Sequence, residues 1–129
     1  MKKCIALVIL LVLAFSACNA VPAGEYRKIS PAIAGDMMHN LENYIILDVR
    51  SEEEFAAGHI ADAQLLPEDK IAVRAAAELP DKDAVILVYC QSGRRSELAA
   101  NALCKLGYSN VYDFGGINDW PYETVSIEE

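Results

Sequence analysis

The stretch that decides the fold runs from Val85 to Gly107 and reads VILVYCQSGRRSELAANALCKLG. Its first five residues, Val85 to Tyr89, are apolar and mostly β-branched, the pattern of a buried strand. From Ser96 the apolar residues recur at helical spacing. Ser96 and Gly107 carry the residue types that open and close helices, so a helix is predicted between them. The six residues Cys90-Gln91-Ser92-Gly93-Arg94-Arg95 are left as a tight loop. A cysteine therefore stands at the tip of a strand and beneath a helix N-terminus. Unpaired backbone N–H groups and the positive end of the helix dipole favour an anion there. Arg94 and Arg95 add two fixed positive charges, and Gly93 lets the backbone curl so that its amides aim inward. A lone strand-end cysteine is more often a small buried hydrophobe. The packet of strand, Cys, Gly, two Arg and Ser-capped helix points instead to a nucleophilic thiolate beside an anion cradle. The candidate site is Cys90 as nucleophile, with Gln91, Ser92, Gly93, Arg94, Arg95 and Ser96 as the substrate-binding loop.

On the C-terminal side, Asn110 to Phe114 reads as a further strand, Gly115-Gly116 as a turn and Ile117 to Trp120 as a short helix. On the N-terminal side, Tyr44 to Arg50 is a mostly apolar run, read as a central parallel strand. Ser51-Glu52-Glu53-Glu54-Phe55 then looks like a short capped helix with acids in its first turn. Residues 69–79 are helical by propensity and end before Pro80. Ser30 and Pro31 mark the cap and first position of a helix running to His39 or Asn40. Strands alternating with helices argue for an α/β fold with a parallel sheet. The domain organisation expected is a leader over 1–18, a tether over 19–28, one domain over 29–122 and a polar tail over 123–129.

The chain has 129 residues and a net charge of −8. Without the first 17 residues, which hold two lysines and no acid, the remainder stands at −10. An acidic domain with no basic run is a poor nucleic-acid binder, so the paired arginines act as a local anion site on an acidic surface. Of the four cysteines, Cys4 lies within the N-terminal apolar run and Cys18 ends it. Cys104 lies about 12 Å along the helix axis from the Ser96 end, too far for a bridge to Cys90. Its neighbours Leu103 and Leu106 mark it as a core thiol.

Residues 1–18 read MKKCIALVILLVLAFSAC. Two lysines, a short apolar run and small residues before a cysteine fit a secretory signal, the apolar run being shorter than the ~20 residues of a comfortable membrane span. Phe15-Ser16-Ala17-Cys18 resembles a bacterial lipoprotein box, with Phe15 where leucine is usual. That resemblance implies acylation of Cys18 and an exported, membrane-anchored protein on the periplasmic or outer cell-surface side. Ordinary cleavage near Ala17 or Ala20, or an uncleaved anchor, are the alternatives.

The pieces DVRSEEEFAAGHI (Asp48 to Ile60), the Pro67 segment, CQSGRRS (Cys90 to Ser96), LGY (Leu106 to Tyr108) and GGINDW (Gly115 to Trp120) occur in this order. Together they resemble a single-domain rhodanese, a thiosulfate sulfurtransferase module, over about Ile29 to Trp120. The resemblance implies a central sheet of about five parallel strands with helices on both faces. It implies that Cys90 takes the outer sulfur of thiosulfate, or of a persulfide or polysulfide, and passes it to cyanide or a thiol. The partners implied are a small anionic sulfur donor and a small or protein-borne thiol acceptor, with no metal or organic cofactor. Asp48, Arg50, Glu54 and His59 match the family pattern as an ion-pair and hydrogen-bond scaffold. Two other readings compete. A cysteine phosphatase or arsenate reductase would place arginine after five intervening residues, where this chain has Ser96. A rhodanese-like binding or redox module without catalysis would not need the cysteine that is present.

Overall fold

The computed structural model describes residues 24–127. The expected leader and Cys18 lie outside the described residues. Within them, five parallel strands form one sheet: β1 (Arg27–Lys28), β2 (Ile45–Asp48), β3 (Gln64–Leu65), β4 (Val85–Cys90) and β5 (Asn110–Gly116). Their order across the sheet is β1-β5-β4-β2-β3, with β4 at the centre. Four helices connect them: α1 (Pro31–Asn40), α2 (Glu52–Ala57), α3 (Ile71–Glu78) and α4 (Arg94–Lys105). The α/β architecture expected from the sequence, a central parallel sheet of five strands with helices on both faces, is the one observed.

The apolar run of β4 is explained by its two covered faces. Ile86, Val88 and Cys90 point into a core shared with Ile71 and Ala75 of α3 and with Ala99 and Leu103 of α4. Leu87 and Tyr89 point the other way, against Ala34 of α1 and Phe114 of β5. Period-two alternation thus turns Cys90 towards α4 and Tyr89 towards the opposite layer. Parallel strands also gather their C-terminal ends along one edge. Asp48, Cys90 and Gly116 all sit there, and a ladder irregularity between Val88 and Cys90 sets Cys90 opposite Gly116.

The structure corrects four expectations. Arg27 and Lys28, assigned to the tether, form the edge strand β1, paired with Tyr112 and Asp113. Gly115 and Gly116, expected as a turn, still belong to β5. Helix α4 opens at Arg94, two residues before Ser96, because Gly93 with φ 104° serves as its cap. The segment read as a polar tail is docked: His59 and Val125 exchange backbone hydrogen bonds of 2.7 and 2.8 Å, and the Ile127 amide donates to Ala56. The small α2 has no buried residue of its own, so these main-chain bonds supply a partner that side-chain periodicity does not announce.

Candidate active site

Cys90 is the last residue of β4 and only 1% exposed. The chain then turns sharply, and the Gly93 amide donates to Cys90 Sγ at 3.0 Å. A left-handed φ at that position suits glycine, since a Cβ would strain the backbone that aims this amide. The first amides of α4 have no carbonyl a turn earlier to bond, so the helix opens its positive end towards the loop. Ser96 is buried and its hydroxyl donates to the Gly93 carbonyl at 3.0 Å. Its side chain therefore holds the turn from beneath, which leaves only its backbone amide, in the first turn of α4, to face the loop.

Arg94 and Arg95 are the first two residues of α4, so their side chains diverge by about 100° around the helix. Arg95 turns to α2 and meets Glu54 in a two-pronged pair, with Nη1–Oε1 2.6 Å and Nη2–Oε2 2.8 Å. Arg94 is exposed, has no partner among the described residues, and lines an open cleft with Ser92, Gly93 and Lys28. On the other side of the loop a second cleft is lined by Arg50, Arg95, Pro67, Lys70 and the acids Glu52 and Glu68. Loop geometry thus assigns different tasks to two adjacent arginines, one closing the loop and one free at its rim.

Asp48, Arg50, Glu54 and His59 are each engaged in hydrogen bonds within the protein. Glu54 also completes a capping box with Ser51 at the start of α2. The Arg95 guanidinium holds the Glu54 carboxyl down at about 2, against the opposing effect of burial and with help from Ser51. A carboxylate lowered by folding stabilises the fold above its unfolded pKa, and that contribution disappears as pH falls from about 4.5 to about 2. The pair is part-exposed, so its worth is discounted to about 1–2 kcal/mol. A Glu54→Gln variant is expected to lose about that much at pH 7 and to converge with the parent by pH 2, as read from denaturant midpoints across the acid range.

Asp48 and Arg50 form a buried ion pair of 2.7 Å. Arg50 also donates to the Gly58 carbonyl at 2.7 Å and to Gln91 Oε1 at 3.0 Å. Tyr89 was not foreseen in the site. Its hydroxyl donates to Asp48 at 2.6 Å and accepts from the Ile60 amide, and burial followed by the Asp48 hydrogen bond pushes its pKa up. The period of β4 could have shown that it faces away from Cys90, but its partners, Asp48 on the neighbouring β2 and Ile60 after α2, are 41 and 29 positions away in sequence. His59 Nδ1 lies 2.7 Å from the Phe55 carbonyl, with its ring stacked on Phe55 at 3.7 Å. A carbonyl only accepts, so Nδ1 carries the proton, and the ring packs on α2. Cys104 is free and buried, and that burial raises its thiol pKa. Among the described residues, no three His, Cys, Asp or Glu side chains gather as metal ligands.

Residues 30–122 match the family model of the rhodanese-like domain. The chain is 36% identical over 73 residues to the thiosulfate sulfurtransferase PspE of Escherichia coli, covering 57% of this chain and 70% of that protein. It is 37% identical over 99 residues to the thiosulfate sulfurtransferase GlpE of Pseudomonas entomophila, covering 74% and 85%. Among solved structures, a rhodanese with anions from E. coli superposes with a TM-score of 0.61 at 32% identity, covering 64% of this chain and 98% of that one. A rhodanese-related protein from Thermoplasma volcanium gives 0.66 at 32% identity, covering 80% and 100%.

Proposed function

Because this chain belongs to the rhodanese-like domain family, with relatives named thiosulfate sulfurtransferases, we propose that it moves sulfane sulfur through a persulfide on Cys90. The Cys90 thiolate attacks the outer sulfur of thiosulfate, the S–S bond breaks, and sulfite leaves with the bonding pair. Cyanide or an acceptor thiolate then attacks the outer sulfur of the persulfide. Thiocyanate or an acceptor persulfide departs, and the Cys90 thiolate returns. A covalent intermediate splits the reaction into two steps, which gives ping-pong kinetics.

The observation that carries this reading is the Gly93 amide on Cys90 Sγ, inside a six-residue loop closed by the Arg95–Glu54 pair. A loop that wraps the sulfur itself leaves room for one further sulfur atom, held by backbone donors. Arg94, unpaired at the rim, binds the sulfonate end of the donor. Asp48, Arg50, Glu54 and His59 hold the frame. The lipoprotein-like signal that ends at Cys18 supports a membrane-anchored location on the periplasmic or outer cell-surface side.

The test is turnover of thiosulfate with cyanide, read as sulfite release, beside hydrolysis of an aryl phosphate. The expected result is sulfite release with double-reciprocal lines that stay parallel, and negligible phosphate release. Faster phosphate hydrolysis or arsenate reduction than thiosulfate consumption would sink the proposal in favour of the longer-loop enzyme class.

A further inference from the structure

Gln91 follows the nucleophile directly, and both ends of its side chain are taken by the protein. Arg50 Nη1 donates to Oε1 at 3.0 Å, and Nε2 donates to Asn118 Oδ1 at 2.6 Å. The orientation of both amides follows from chemistry. A guanidinium can only donate, so Gln91 must turn Oε1 to Arg50 and Nε2 to Asn118, and Asn118 must answer with its oxygen. Asn118 acts a second time through its main chain: its amide donates to the Gln91 carbonyl at 3.2 Å. That carbonyl lies against Gly116, where a Cβ would stand 2.6 Å from the Gln91 carbonyl carbon. Gln91 is thus gripped at its side chain and its peptide, from the ends of both strands that flank β4.

We propose that Asn118 is a positioning residue of the sulfur-transfer loop, which acts as a hydrogen-bond acceptor on Gln91 to fix the first peptide after Cys90. The inference rests on the reading of Cys90 as sulfur carrier. The loop must hold the thiolate and the incoming sulfur in line, and misplacement by 1 Å can cost about 10²-fold in rate. Gln91, placed by its sequence position among the donor-binding residues, serves instead as the clamp between Arg50 and Asn118. Asn118 is exposed and lies in a short turn after β5, so its replacement leaves the core untouched.

The test compares Asn118→Ala with Asn118→Asp in single-turnover loading of Cys90 by thiosulfate, followed by intact mass. Asp keeps the acceptor oxygen and Ala removes it. The expected loading rate at saturating thiosulfate falls about tenfold in Asn118→Ala and recovers to within about twofold in Asn118→Asp. The half-saturating thiosulfate concentration should stay near that of the parent in Asn118→Ala. It should rise in Asn118→Asp, because a carboxylate near the loop repels the dianion. Thermal midpoints of both variants should stay near that of the parent. Parent-like loading by Asn118→Ala would overturn the proposal, and so would equal loss in both variants, which would mark a role in shape alone. If the parent itself takes up no sulfur, the reading of Cys90 fails, a result distinct from either variant outcome.

Discussion

A Cys90→Ser variant is expected to fold and to lose sulfur transfer by at least about 10³-fold, because a hydroxyl is a poor nucleophile at neutral pH and cannot carry a sulfane sulfur. The swap is close in volume, and a serine oxygen can still accept from the Gly93 amide that now meets Sγ at 3.0 Å. Stability should therefore change by about 1 kcal/mol or less. The contrast is Cys104→Ala. That side chain is 4% exposed in the core under α4, so its truncation opens a small cavity and costs about 1–2 kcal/mol. Turnover should remain near that of the parent. One cysteine thus governs activity and the other stability. Sulfite release and a denaturant midpoint on the two variants measure both. Substantial residual turnover in Cys90→Ser would contradict the assignment.

The second large effect is expected at Gly116. Its backbone is extended, with φ −112° and ψ 152°, which any residue adopts without strain. What requires glycine is the approach of the loop. A Cβ at this position would fall on the Gln91 carbonyl, 2.6 Å from its carbon and 2.7 Å from Ser92 Cα. Those are backbone atoms, so relief requires the loop or the end of β5 to move. Gly116→Ala should lower kcat/KM for thiosulfate by about 10²-fold through displacement of the loop that holds Cys90. The expected cost in stability is about 1–3 kcal/mol. A variant with parent-like turnover would show that the loop tolerates displacement and that its fit to the sulfur is loose.

Much of this was legible in the chain because local chemistry and burial agree. The run from Val85 to Tyr89 is apolar throughout since both faces of β4 are covered, and it forms the centre of the sheet. Ser30 caps α1 ahead of Pro31, and Ser51 caps α2 with Glu54 three places on, as these residue types suggest. Glu54 and Arg95, both candidate site residues in the sequence, pair with each other across 41 positions. Helix α4 starts ahead of Ser96, although serine is the commoner cap, because Gly93 caps it with a positive φ and no side-chain bond. Ser96 is instead consumed inside the first turn.

What the sequence did not show were partners brought together by topology. Arg27 and Lys28 read as a linker because a two-residue strand has no periodicity, yet β5 offers them an open edge. Tyr89, Asn118 and the docked segment at Val125 find partners on other elements, with nothing in their own neighbourhood to signal it. Gln91 illustrates the limit best. Its place beside the nucleophile suggests contact with the donor, and only the positions of Arg50 and Asn118 reveal that its amide is already engaged.

The most direct test of the account is the intact mass of the unmodified protein after incubation with thiosulfate and removal of excess reagent. The account predicts a gain of one sulfur atom, located on Cys90 by fragmentation, lost on addition of cyanide with formation of thiocyanate, and absent from Cys90→Ser. No gain in mass, or a gain that persists in Cys90→Ser, would contradict it.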